Sequence, residues 1–173
     1  LAVCRRDGID VPVVCTGAPL GNEDDLRTLA SELGVADLVE FTGFVSDAEM
    51  ADLQRRARLL IFPSRFEGWG YPVIESFERG VPVACSDGAW LDDAAGDAAV
   101  RFDPDDVHAI AASLRDLWTD ERLRGEGIEA GARHLRSFTA ERMGGAYLEA
   151  YDLAARRSGQ NRGTRIDRSA PVV

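Results

Sequence analysis

Short apolar runs alternate with amphipathic stretches along most of this chain. Val11–Cys15, Leu38–Phe41, Leu59–Phe62, Val81–Ala84 and Ala99–Phe102 have the length and apolar content of strands. Glu23–Leu33, Asp47–Arg56, Pro72–Arg79, Asp105–Trp118, Glu121–Arg136 and Ala140–Ala155 carry helical patterns. Leu1 to Asp7 reads as the end of a further helix. Asp103-Pro-Asp-Asp is a good helix start, with acids near the positive end of the dipole. This alternation predicts an α/β domain: a doubly wound, Rossmann-like parallel sheet with helices on both faces. In such sheets ligands bind beyond the carboxyl ends of the strands.

One stretch stands out, from Phe62 through Glu67 and Glu75 to Val83. Arg58-Leu-Leu-Ile-Phe62 suits a strand buried on both faces, and Pro63 ends it. Gly68 and Gly70 permit backbone conformations that a side chain forbids and let a ligand approach the main chain. Pro72 suits the first helical position, where its missing N–H costs nothing, and Gly80 stops the helix. Val81-Pro-Val-Ala-Cys85 follows as the next strand, which implies a crossover and a parallel pair. The free N–H groups at the helix start form an anion site, as for a pyrophosphate. Glu67 lies in the loop and Glu75 one turn into the helix. Carboxylates with no cation nearby suit the hydroxyls of a sugar or ribose, from which they accept hydrogen bonds. Either Glu taken singly reads as a turn or solvated helix residue; the pair, in this glycine and proline context, reads as a site.

Residues 63–84 resemble the signature of glycosyltransferase family 4, retaining enzymes of the GT-B fold. The signature stands here as Pro63-Ser64, Glu67-Gly68-Trp69-Gly70, Pro72, Glu75 and Gly80-Val81-Pro82-Val83. Val11–Gly17, Val39–Asp47 and Asp87–Ala99 resemble flanking segments of the family, with Asp93 where the family often has Glu. The resemblance covers about residues 9 to 150. It implies that Glu67 is the catalytic residue, contacting donor-sugar hydroxyls near the reaction centre. Main-chain groups of Gly68, Trp69 and Gly70 would line the sugar, the amides of Tyr71 and Val73 would meet the diphosphate, Glu75 would hold the ribose hydroxyls, and Val45 would offer backbone contacts to the base. The implied reaction moves a hexose, mannose or glucose, from a nucleotide-diphosphate sugar to a carbohydrate, lipid or small-molecule acceptor with retention. The nucleotide sugar is substrate; no cofactor and no metal are expected. The chain departs from the family in having no lysine among its 20 basic residues, all Arg. The family's phosphate-binding Arg and Lys follow a first strand that would lie before Leu1. The expectation is therefore a fragment: residues 1–155 as a nucleotide-sugar-binding domain missing its first strand, separated from an N-terminal acceptor domain and inactive alone.

Composition narrows this picture. A length of 173 residues with 45% apolar content fits one globular domain. No apolar run approaches the ~20 residues of a membrane span, and no signal peptide is visible. The net charge of −10 disfavours nucleic acid as a partner. Residues 156–173 run the other way, with five Arg against Asp167, and read as a disordered basic tail, with peripheral membrane contact as a second reading. Cys15 and Cys85 end apolar strands and read as small buried hydrophobes, neighbours in the sheet if bonded at all; an odd cysteine count favours reduced thiols. The setting expected is cytoplasmic, with the inner membrane face as a second reading. His108 and His134 lack partners at metal or nucleophile spacing and read as structural. Trp118, Leu123, Leu135 and Phe138 read as core; Trp90 lies near the expected donor cleft, with packing as its alternative role. Two further function classes stay open: a glycoside hydrolase using Glu67 and Glu75 as its carboxylate pair, and a non-catalytic nucleotide-sugar-binding remnant.

Overall fold

The computed structural model describes residues 1–18 and 21–157. In chain order the elements are α1 (Ala2–Arg6), β1 (Val13–Thr16), α2 (Glu23–Glu32), β2 (Val39–Gly43), α3 (Asp47–Arg56), β3 (Leu60–Phe62), α4 (Tyr71–Glu78), β4 (Val83–Ser86), α5 (Asp92–Ala95), β5 (Val100–Phe102), α6 (Val107–Thr119), α7 (Glu121–Leu135) and α8 (Ala140–Arg157). Single 3-10 turns lie at Ala36–Leu38 and Ala89–Leu91. The chain forms two compact units, the first Leu1–Leu135 and the second beginning at Arg136.

Every strand pairing is parallel, as the alternation predicts, but the ladders form two pieces. One is β1-β2, the other β3-β4-β5. In the second, Leu60, Ile61 and Phe62 stand opposite Val83, Ala84 and Cys85. β4 has a neighbour on each side and is fully buried, whereas β3 is paired along one edge and only half-buried. The expectation of a β3 buried on both faces is thus corrected. β4 also starts two residues later than its apolar run, because Pro82 has no N–H to pair; its carbonyl accepts from Leu60 instead, at 2.9 Å.

The main core is α4 laid on β4. Val73, Ile74 and Phe77 from α4 pack with Val83 and Cys85 from β4 and with Leu91, Ala94 and Ala95. α7 covers α4 at Gly131, where a Cβ would stand 2.5 Å from the Phe77 ring. A second cluster joins Cys4 and Val11 to Ala111 and Leu114 of α6, with Trp118 at its margin under the Arg58 guanidinium. Cys15 and Cys85 fall in different sheet pieces, so they are not neighbours; all three thiols are free. Burial pushes the Cys85 thiol up to about 11.

In the second unit, α8 opens at Thr139, whose hydroxyl accepts from Arg142 N at 3.2 Å. Tyr147 and Tyr151 stack one turn apart along it. Phe138 is 39% exposed, against its expected place in a core. The helix runs through residue 157, two residues into the stretch expected as a tail; residues 158–173 lie outside those described.

Gly131→Ala sets two effects against each other. Alanine favours a helix interior by roughly 1 kcal/mol over glycine, whereas forcing a methyl against the buried Phe77 ring costs about 1–3 kcal/mol. The variant is expected to lose stability by about 1 kcal/mol, read as a lower urea midpoint at unchanged slope.

Candidate functional site

The site grows from the β3–α4 connection at the carboxyl end of β3. Pro63 leaves the strand and Ser64 then organises the loop. Its hydroxyl hydrogen is shared between the Phe66 carbonyl (2.9 Å) and Glu67 Oε1 (2.8 Å), while its oxygen accepts from Phe66 N at 3.4 Å. Glu67 is thereby held half-buried by a neutral donor, and no described hydrogen bond reaches its Oε2.

The two glycines differ. Gly70 caps α4 from the left-handed region, at φ 89°, and is buried so tightly that a Cβ would lie 2.6 Å from Leu91 Cδ2 and 3.3 Å from Ala94 Cβ. Gly68 has no positive φ, and a Cβ there would meet nothing within 4 Å. Special backbone geometry, expected of both, belongs to Gly70 alone; Gly68 leaves open space on the loop.

Tyr71, one residue earlier than expected, is the first residue of α4 and Pro72 the second. Pro72 has no amide, and Val73, wholly buried, turns its N–H onto the Gly70 carbonyl at 3.0 Å. Of the first three positions, only the Tyr71 amide is left unused by any described hydrogen bond. The Tyr71 ring is exposed and tilts against the half-buried Trp69, centroids 5.1 Å apart. Glu75 lies in the second turn. Its backbone carbonyl accepts from Arg79 Nη1 at 2.9 Å, and its carboxylate Oε2 faces Gln54 Nε2 of α3 at 3.4 Å.

Val45 comes from the other sheet piece, just past β2. Its exit is fixed by a capping box: Ser46 Oγ accepts from Glu49 N at 3.3 Å, and the Ser46 hydroxyl and N–H donate to Glu49 Oε2 at 2.6 and 2.8 Å, which together hold the Glu49 carboxyl below its ordinary range. α3 thus starts at the Val45 loop and ends beside Glu75, linking two sequence-predicted positions that no ladder joins.

Neighbouring loops on the same edge are tied to this one. Arg65 pairs with Asp105 (2.6 Å) with both ends exposed, an ion pair of small net worth. Arg101, largely buried on β5, donates to Gly88 O and Asp92 Oδ1 at 3.1 and 3.0 Å, holding the segment after β4. Trp90 folds over Gly88, which could not carry a Cβ, and packs on the main core with its indole N–H buried and without a hydrogen bond. His134 bonds the Asp93 carbonyl at 3.1 Å and meets Phe77 edge-on, a structural role as expected. Sequence reading placed Ser64 in the signature without a role and missed Gln54 and Arg101. A charge inside the apolar run of β5 was a usable signal for Arg101, and a Ser two residues before Phe66 for a hydroxyl turn. Gln54 had none, being 21 positions from its partner.

A parallel α/β domain with a helix start and two half-buried carboxylates on its carboxyl edge has a candidate ligand site where doubly wound sheets commonly carry one. Residues 2–134 match the family model for glycosyl transferases group 1, and the chain belongs to that family. The O-antigen chain mannosyltransferase B of Escherichia coli is 32% identical over 143 residues, which are 82% of this chain and 37% of that protein. The D-inositol 3-phosphate glycosyltransferase of Thermobispora bispora is 37% identical over 155 residues, 83% of this chain and 36% of its own. The chain therefore spans about a third of the length of these curated relatives. Among solved structures, Anabaena Alr3699/HepE in complex with UDP and glucose superposes with a TM-score of 0.67 at 19% identity, over 82% of this chain and 40% of that one. The resemblance carried by residues 63–84 and its GT-B architecture are borne out. No helix among the described residues is long and apolar enough to cross a membrane.

The two glycines predict opposite responses. Gly70→Ala combines a left-handed backbone penalty of about 1–2 kcal/mol with overpacking of about 1–3 kcal/mol, and should lower the melting temperature sharply. Gly68→Ala should leave melting nearly unchanged, within about 0.5 kcal/mol. Thermal denaturation of the two variants side by side checks this.

Proposed function

We propose that this chain is the donor-binding half of a retaining glycosyltransferase, which moves mannose or glucose from a nucleotide-diphosphate sugar to a carbohydrate, lipid or small-molecule acceptor. The observation that carries the reading is the spacing of chemistry along one connection. Glu67, then the open backbone at Gly68, then the Tyr71 amide at a helix start, then Glu75, follow one another on the carboxyl edge. Sugar hydroxyls, diphosphate and ribose follow one another along a nucleotide sugar in the same way. Family membership supports the reaction class, and a relative named for mannosyl transfer and a fold neighbour holding UDP and glucose support the donor.

In this reading Glu67, oriented by Ser64, accepts hydrogen bonds from donor-sugar hydroxyls and offers negative charge near the anomeric carbon as positive charge develops there. The Tyr71 amide and the α4 dipole take part of the diphosphate charge. The main chain at Val45 contacts the base, and Glu75 accepts from the ribose hydroxyls. The bond from anomeric carbon to diphosphate oxygen breaks, the acceptor oxygen bonds to that carbon on the same face, and the acceptor proton passes to the departing phosphate. No step is assigned to a metal. Most of the cationic stabilisation comes from outside this chain, because Arg65, Arg79 and Arg101 are bonded to groups of the fold.

With GDP-mannose and UDP-glucose as donors, the intact protein is expected to release nucleoside diphosphate in proportion to glycosylated acceptor. Glu67→Gln should lower kcat by about 100-fold or more with little change in KM, since its charge acts mainly as the transition state forms. Sugar release without any nucleotide donor would move the assignment to a hydrolase. Tight nucleotide-sugar binding with no turnover would move it to a binding protein.

A further inference from the structure

We propose that Gln54 is a positioning residue for Glu75: its side-chain amide holds the carboxylate in place for ribose and keeps it open to hydroxyls. The proposal rests on the reading of Glu75 as the ribose acceptor. Gln54 sits near the end of α3 and Glu75 in the second turn of α4, so their contact bridges separate elements. Nε2 donates to Glu75 Oε2 at 3.4 Å, and among the described residues no other hydrogen bond reaches that carboxylate. Arg79, the nearest cation along the helix, is turned to the Glu75 backbone carbonyl instead.

The other end of the amide explains why this arrangement is specific. Gln54 Oε1 is buried and has no hydrogen-bond partner. A buried acceptor without a donor is unfavourable, and rotating the amide by half a turn would not relieve it: Oε1 would then face the Glu75 carboxylate, oxygen against oxygen. The negative charge of Glu75 selects the orientation in which the N–H₂ group points at it, and the orphaned oxygen is the consequence. A neutral donor suits a carboxylate that must bind hydroxyls. A guanidinium at this place would engage both oxygens and compete with the ligand, whereas one amide N–H fixes Oε2 and leaves Oε1 for the ribose.

Gln54→Leu removes the donor and the orphaned acceptor together. A purely structural glutamine would lose stability on this change; a positioning one loses binding while the melting temperature holds or rises. The test is titration calorimetry on the intact protein with UDP and GDP, each beside its 2′,3′-dideoxy analogue. Wild type should favour the ribonucleotide by about tenfold or more, the worth of hydrogen bonds to a charged group. Glu75→Gln should abolish most of that preference. Gln54→Leu should reduce it about three- to tenfold, through the ribonucleotide alone. Gln54→Glu should weaken ribonucleotide binding at pH 8, with recovery as pH falls to about 5.5, where the shared proton restores a donor between the paired carboxyls. If Gln54→Leu keeps the wild-type preference while Glu75→Gln loses it, the proposal is overturned and the ribose assignment stands. If Glu75→Gln keeps it too, or wild type binds neither nucleotide, both fall.

Discussion

The contact of Gly70 with Leu91 and Ala94 is the constraint on which the candidate site depends. Only a residue without a side chain, in a left-handed conformation, can bring the start of α4 this close to the segment after β4. That approach buries Val73, Ile74 and Phe77 on β4 and sets the direction in which α4 leaves the sheet. The Tyr71 amide and Glu75 are then placed by the helix, and Glu67 by the short loop leading into it. The candidate site groups are thus positioned by an apolar contact on the far side of the connection. Ser64 and Gln54 add the final alignment, each by one neutral hydrogen bond.

Much of this was legible in the chain. Strand and helix periods gave every strand and the longer helices to within a few residues, and Asp47–Arg56 came out with the expected bounds. The reason is local: apolar period, acids at helix starts and prolines at boundaries act over a few residues. The departures arise where the decisive partner is distant. β3 reads as fully buried because its residues are apolar, but among the described residues it pairs with β4 on one edge only, and it is half-buried. Gly70 and Gly68 look alike in sequence; Leu91, twenty-one positions on, makes one obligatory for the fold and leaves the other free. Gln54 is invisible for the same reason.

Charge is distributed with a similar division of labour. The chain carries 30 acids against 20 arginines, and the arginines with described contacts near the site serve as struts. Arg101 spans carbonyls and a carboxylate with one planar group, and Arg5 does the same between Asp10, Asp37 and the Gly34 carbonyl. Such forks exploit a geometry that an ammonium lacks. The candidate site itself presents two carboxylates, Glu67 and Glu75, each held by a neutral side chain.

The arginine struts carry a consequence for alkaline tolerance. A guanidinium does not lose its proton in any ordinary buffer, and the bonds from Arg5 to Asp37 and Asp10 hold its proton more tightly still. One weak point in base is the buried Cys85 thiol. Its proton is held to about 11 in the folded chain, against an ordinary value of 9.0. That preference supports the fold fully below about pH 9 and is lost as pH rises through the folded value. A buried sulfur in β4 is therefore one place where alkali weakens the fold, and the Cys15 thiol, also raised by burial, is another.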